Sequence, residues 1–109
     1  MELRHLRYFV AAVREGSVTR AAKVLNMAQP PLSRQIQQLE DELGVSLFER
    51  GRRPLRMTDA GRFFYEHALT ILDRAEALKT MTRRVGQIGT GRFGIGFVGS
   101  ILYGPLPEM

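Results

Sequence analysis

Residues 28–43, AQPPLSRQIQQLEDEL, constrain the fold more than any other stretch of this chain. Pro30 and Pro31 suit only the first turn of a helix, where a missing N–H has no intrahelical partner to lose. Leu32, Ile36, Leu39 and Leu43 then recur at i, i+4, i+7 and i+11, one apolar stripe at the helical period. The opposite face carries Pro30, Ser33, Arg34, Gln37 and Asp41, and it is polarised along its length. Its N-terminal half offers Gln29, Ser33, Arg34 and Gln37, which are neutral or basic hydrogen-bonding groups. Its C-terminal end is Glu40-Asp41-Glu42, which phosphates would repel. A helix that meets DNA N-terminal end first, with amide and guanidinium groups forward, has this layout. Taken alone, an ordinary amphipathic surface helix is the better reading; the flanking sequence changes that.

Upstream, Leu3, Leu6, Phe9, Val10 and Val13 form one face of a helix over 3–15 that Gly16 ends. Ser17 is an N-cap candidate for a second helix with Val18, Ala21, Ala22 and Leu25 on its buried side. The adjacent alanines let another helix cross closely, and Asn26 is a stop. A short alanine-bearing helix, a tight turn and a helix with a polar leading face make a helix-turn-helix pattern. Downstream, 45–50 reads as a short strand, Gly51-Arg52-Arg53-Pro54 as a turn and 55–57 as the returning strand. The resulting hairpin sets Arg50, Arg52, Arg53 and Arg56 at or near its tip. So much basic charge around a Gly/Pro turn suits a wing whose arginines sit on phosphates or enter a narrow minor groove. A solubilising loop is the weaker alternative.

The charge balance agrees. The chain has 109 residues with a formal net charge of +5 and a pI of about 10.4. Residues 1–58 hold ten basic and six acidic side chains, so the excess lies in the first half. A basic half-chain suits a polyanionic partner. There is no cysteine, which excludes a disulfide framework, a thiolate zinc site and a cysteine nucleophile. No apolar run reaches membrane-spanning length and the N-terminus is not a signal peptide, so a cytoplasmic protein is expected.

Thr58 can cap a further helix, with Asp59 in its first turn. It is expected to run to about residue 85, roughly 40 Å at 1.5 Å per residue. Phe64, Ala68, Ile71, Ala75, Leu78, Thr82 and Val85 repeat with alternating spacings of four and three, a heptad seam broken only by Thr82. A second stripe with Phe63, Leu72 and Ala77 is free to face the domain. The seam outlasts what a small domain can cover, which predicts a homodimer through Phe64, Ala68, Ile71, Ala75, Leu78 and Val85. Gly86, Gly89 and Gly91 are expected to break the helix and make 86–91 a hinge. Residues 92–98 read as a strand and 99–100 as a turn, the truncated start, over 92–109, of another domain.

Gly94 to Gly99 match G-x-G-x-x-G, but the glycines fall within the expected strand rather than after it, so a nucleotide-binding enzyme is the lesser reading. His5 and His67 lie on separate helices and read as a surface residue and a packing or interface residue. No catalytic constellation appears, and the chain is read as a non-enzyme that holds no cofactor or metal. A dimerisation module with an incidental basic face remains the other alternative.

The run MELRHLRYFVAAV, then S-x-x-x-AA-x-x-L, then AQPPLSRQIQQLEDELGVSLFER, then RPLRMTDAGRFFYEHA resembles the LysR-type bacterial transcriptional regulators over residues 1 to about 85. The resemblance implies a mainly α fold: a winged helix-turn-helix of three helices and a small β-hairpin over 1–58, then a dimerisation helix over 59–85. It implies sequence-specific binding of double-stranded DNA, an A·T-rich interrupted palindrome, by a homodimer. Gln29, Pro30, Ser33, Arg34 and Gln37 would reach base edges, and Thr19, Arg20, Arg50, Arg52, Arg53 and Arg56 the backbone or minor groove. MELRHLRYFV, AQPPLSRQIQ and IGFVGS further resemble the branch regulating benzoate, catechol and chlorocatechol degradation, whose inducers include muconates. In that branch Ser100 matches a loop that helps bind the inducer. Many members carry Ser or Thr where this chain has Ala28, which implies a helix here without a side-chain cap. At full length the resemblance implies an effector-sensing domain, in a family whose members are often tetramers, and it leaves both a tetramer and RNA polymerase as a partner open.

Overall fold

The computed structural model describes residues 1–89. Among the described residues there are four helices: α1 (Leu3–Glu15), α2 (Val18–Val24), α3 (Gln29–Leu43) and α4 (Asp59–Gly89). The expected strand at 92–98, the Gly94–Gly99 motif and Ser100 lie outside the described residues.

Local signals place the first three helices. Gly16 closes α1 in the left-handed region at φ 68°, its N–H directed at the Ala12 and Val13 carbonyls. Ser17 caps α2, its hydroxyl accepting from the Arg20 amide at 3.1 Å. Asn26 takes φ 60°, a conformation its short polar side chain tolerates, and turns the chain towards α3. Ala28 is the extended N-cap residue of α3 and makes no side-chain cap hydrogen bond, as its methyl side chain requires.

The segment Met1–Asp73 forms one compact unit. Ala12, Ala21, Ala22, Leu32 and Ile36 are buried where α1, α2 and α3 meet. Ala21 and Ala22 have no bulk to hold the helices apart, so the turn between α2 and α3 stays tight. Phe9 is fully buried with Leu39 and Leu47. Its ring lies 5.1 Å from Phe48 and 5.3 Å, edge on, from Phe64, joining α1 to the segment after α3 and to α4. The two arms of the expected hairpin pair through an antiparallel bridge, Phe48 to Met57. The Glu49 amide donates to the Arg56 carbonyl at 2.8 Å and the Thr58 amide to the Leu47 carbonyl at 3.0 Å. The arginine-bearing segment is thus a loop on a short antiparallel paired base. Glu40 secures that base: its carboxylate accepts from the Leu47 amide at 2.6 Å and the Phe48 amide at 3.2 Å. Thr58 starts α4, accepting from the Gly61 amide at 3.0 Å and donating to the Ser46 carbonyl at 2.6 Å.

Three expectations are corrected within this unit. Phe64 and Ala68, assigned to a dimer seam, belong to the chain's own core: Ala68 is 1% exposed against Leu6 and Val10, with Phe64 packed beside it. Phe63, expected to face the domain, is 67% exposed and stacks on His67, with ring centroids 4.4 Å apart. Phe63 and Phe64 sit about 100° apart on the helix, and α1 receives the second. Leu72 of the same expected stripe does pack inward. His5 is 8% exposed rather than a surface residue. Its Nδ1 accepts from the Glu2 amide at 2.9 Å, so its Nε2 carries the proton and donates to Gln35 Oε1 at 2.8 Å. That bond ties the start of α1 to α3.

The second unit is Arg74–Met109, of which 74–89 are described, all helical. Ala75 and Val85 are half-buried, whereas Ala77, Leu78, Met81 and Ile88 are exposed. The helix does not break at Gly86 but continues to Gly89. One interior glycine costs about 1 kcal/mol relative to alanine, too little to end a helix without a competing cap. Residues 90–91 of the expected hinge lie outside the described residues.

Candidate nucleic-acid interface

Apart from half-buried Ser33, every side chain expected to touch DNA is exposed. Local chemistry fixes where they stand. The extended Ala28 and the two prolines set the first turn of α3, so Gln29 and Ser33 occupy successive turns of one face. The Gln29 Nε2 donates to Ser33 Oγ, which orients the amide and leaves its Oε1 and one N–H available. Arg34 is exposed, and no protein group pairs with it among the described residues. Gln37 is drawn back along the helix, its Nε2 donating to Asp41 Oδ1 at 3.0 Å. Farther along, Glu42 is held below the usual carboxylate range by the hydrogen bond from the Met1 ammonium, 2.6 Å away.

An open concavity of about 510 Å³ gathers Thr19, Arg20, Gln29, Ser33, Arg52 and Arg53 from three elements. The starts of α2 and α3 form two walls and the loop after Phe48 forms the third. That loop is tied back by the Leu55 amide, which donates to the Gly16 carbonyl at 3.1 Å. Pro30, Arg34, Gln37, Arg50 and Arg56 do not line the concavity. Two of its arginines are already engaged. The Arg20 guanidinium donates to the Glu15 carbonyl at 2.8 Å, and Arg52 Nε lies 3.3 Å from Glu49 Oε1. Arg53 has no protein partner among the described residues. The surface is basic, rich in amide and hydroxyl groups, and shaped by a helix start beside a loop. That combination suits phosphates and base edges.

Two residues escaped the sequence reading. The sequence places Glu40 with Asp41 and Glu42 at a phosphate-repelling end, whereas it turns towards the loop base and caps two amides. Glu49 lines the concavity as its one acidic side chain. Only its spacing of three from Arg52 hinted at a pair.

Among the described residues no group of His, Asp or Glu side chains is arranged to hold a metal ion. No helix there is long and apolar enough to cross a membrane.

Residues 3–62 match the family model of bacterial regulatory helix-turn-helix proteins, lysR family, a family of regulators rather than enzymes. The chain is 56% identical over 109 residues to a probable cat1 operon transcriptional activator of Acinetobacter lwoffii, covering all of this chain and 36% of the relative. It is 54% identical over 109 residues to the HTH-type transcriptional regulator BenM of Acinetobacter baylyi, again covering all of this chain and 36% of the relative. The chain thus spans about a third of the length of these curated relatives. In three dimensions it is similar to a crystal structure of the BenM DNA-binding domain in complex with catB site 1 DNA. The TM-score is 0.79 at 56% identity, covering 80% of this chain and 94% of the other.

Proposed function

This chain belongs to the lysR family of bacterial regulatory helix-turn-helix proteins, and from that premise we propose that it is the DNA-reading and dimerising part of a transcriptional regulator of an aromatic-degradation operon. The observation that carries the proposal is the concavity in which the start of α3 stands beside the arginine loop. Its relatives named for a cat operon activator and for BenM support the choice of operon.

In this reading α3 enters the major groove of an A·T-rich interrupted palindrome N-terminal end first. Arg34, unpaired by protein, takes a guanine edge through its two parallel donors, and Gln29, oriented by Ser33, takes an adenine. Each such pair discriminates by about 1–3 kcal/mol. Pro30 lies against the bases as an apolar contact, and Gln37 reaches them when its bond to Asp41 is exchanged. Thr19, Arg20, Arg50, Arg52, Arg53 and Arg56 serve phosphates or the minor groove. The homodimer forms along α4 through Ile71, Ala75, Leu78 and Val85, which the core leaves at least partly open. The full-length protein senses a small metabolite of the pathway, such as a muconate, and acts on RNA polymerase, as a tetramer.

Fluorescence anisotropy across a salt series tests the proposal, with the catB site 1 duplex named for the similar complex and a scrambled duplex as probes. Tight, salt-dependent binding to the first and much weaker binding to the second is expected. Ser33→Ala and Arg34→Ala lower the preference between the two. Equal binding of the unaltered chain to both duplexes refutes sequence-specific recognition.

A further inference from the structure

We propose that Glu49 is an affinity-limiting residue of the DNA-facing surface: its carboxylate restrains Arg52 and repels phosphate inside the concavity, lowering both affinity and salt dependence on any duplex. The inference rests on the DNA-binding reading above and adds a role for a residue of opposite charge.

Three observations converge. Glu49 lines the same concavity as Arg20, Gln29, Ser33, Arg52 and Arg53, so its charge faces the surface offered to the polyanion. Its Oε1 lies 3.3 Å from Arg52 Nε, which engages the inner nitrogen and leaves the terminal amino groups of the guanidinium partly free. Its position is set by the backbone, because the Glu49 amide donates to the Arg56 carbonyl at 2.8 Å beside the Phe48–Met57 bridge.

An exposed ion pair of this kind contributes little to folding, so stability is a weak reason for an acid here. Its consequence for binding is larger. Phosphate contacts are blind to sequence, and each adds about 0.9 to the slope of log affinity against log salt. A carboxylate that neutralises one arginine of the loop subtracts from this non-specific term. Because that term is common to every duplex, it lowers affinity for operator and random DNA alike and leaves the base contacts of α3 to set the preference between them. Arg53 and Arg56, with no ion-pair partner among the described residues, keep their full charge for the backbone.

The test compares the unaltered chain, Glu49→Gln and the double variant Glu49→Gln/Arg52→Ala on the operator and scrambled duplexes, across salt. Glutamine keeps the shape and removes only the charge, and a thermal melt checks that each variant is folded. Glu49→Gln is expected to bind both duplexes several-fold tighter, with a salt slope steeper by about 0.9 on each. The double variant restores the local charge balance and brings the slope back to that of the unaltered chain. An unchanged slope in Glu49→Gln, or weaker binding to both duplexes, overturns the proposal. A double variant that keeps the steep slope overturns the role of Arg52. Equal binding of the unaltered chain to both duplexes is a failure of the operator reading instead. In that case the slope of Glu49→Gln on either duplex still decides whether Glu49 limits phosphate contact.

Discussion

Gly61→Ala should destabilise the protein while the same substitution at Gly86, in the same helix, should stabilise it. A Cβ at position 61 falls 2.1 Å from the Leu47 carbonyl oxygen, 3.0 Å from its carbon and 3.1 Å from the Met57 Cβ. Carbon and oxygen tolerate each other from about 3.3 Å, so the start of α4 and residue 47 must separate by roughly 1 Å. The Leu47 carbonyl accepts the Thr58 amide at 3.0 Å, and that bond does not survive such a shift. Its loss costs about 0.5–1.5 kcal/mol, and overpacking adds about 1–3 kcal/mol. Alanine returns about 1 kcal/mol of helix propensity. The net is a loss of about 0.5–3.5 kcal/mol, and each kcal/mol lowers Tm by about 4–8 °C in a unit of this size. At Gly86 a Cβ meets nothing within 4 Å, so only the propensity gain of up to about 1 kcal/mol remains. Urea denaturation followed by circular dichroism, at one fixed protein concentration because a dimer links stability to mass action, gives both signs. A Gly61→Ala variant as stable as the unaltered chain would refute the close approach of α4 to residue 47.

Phe9→Ala removes the fully buried ring that contacts Phe48, Phe64 and Tyr65 and should cost about 3–5 kcal/mol, read by the same denaturation. Glu40→Ala leaves the Leu47 and Phe48 amides without their acceptor; a loss of about 1–3 kcal/mol is expected, and no loss would mean that the loop base is held by its backbone bonds alone. Leu78→Asp puts a charge on a residue that is 63% exposed in the single chain and should convert a dimer to monomers in sedimentation equilibrium; a persistent dimer refutes the α4 seam. Arg53→Ala should weaken binding on operator and random duplex alike and flatten the salt slope by about 0.9.

The exchange of Phe63 for Phe64 shows what a repeating pattern conveys. Both stripes on α4 were legible as apolar, since spacing is a property of the chain. Their assignment was not, because it depends on the shape that Leu6, Phe9 and Val10 present to the helix. Similarly, the arginine loop was recognised by composition. The Glu49–Arg52 pairing inside it depends on side-chain direction, which a three-residue spacing outside a regular helix leaves open.

By itself, then, the sequence determined the helix-turn-helix, because its signals act within a few residues. Ser17 needs only the Arg20 amide, Asn26 only its own φ, and the prolines of α3 only the first turn they occupy. It likewise determined which side chains of α3 stay outside, since Leu32, Ile36 and Leu39 use up the opposite face. Tertiary structure alone decided the matters that join residues far apart. It buried His5 against Gln35, thirty positions away, turned Glu40 from the acidic end of α3 to the loop base, and claimed Ala68 for the core. Burial and hydrogen bonding between distant segments depend on how the helices meet, and no local spacing carries that information.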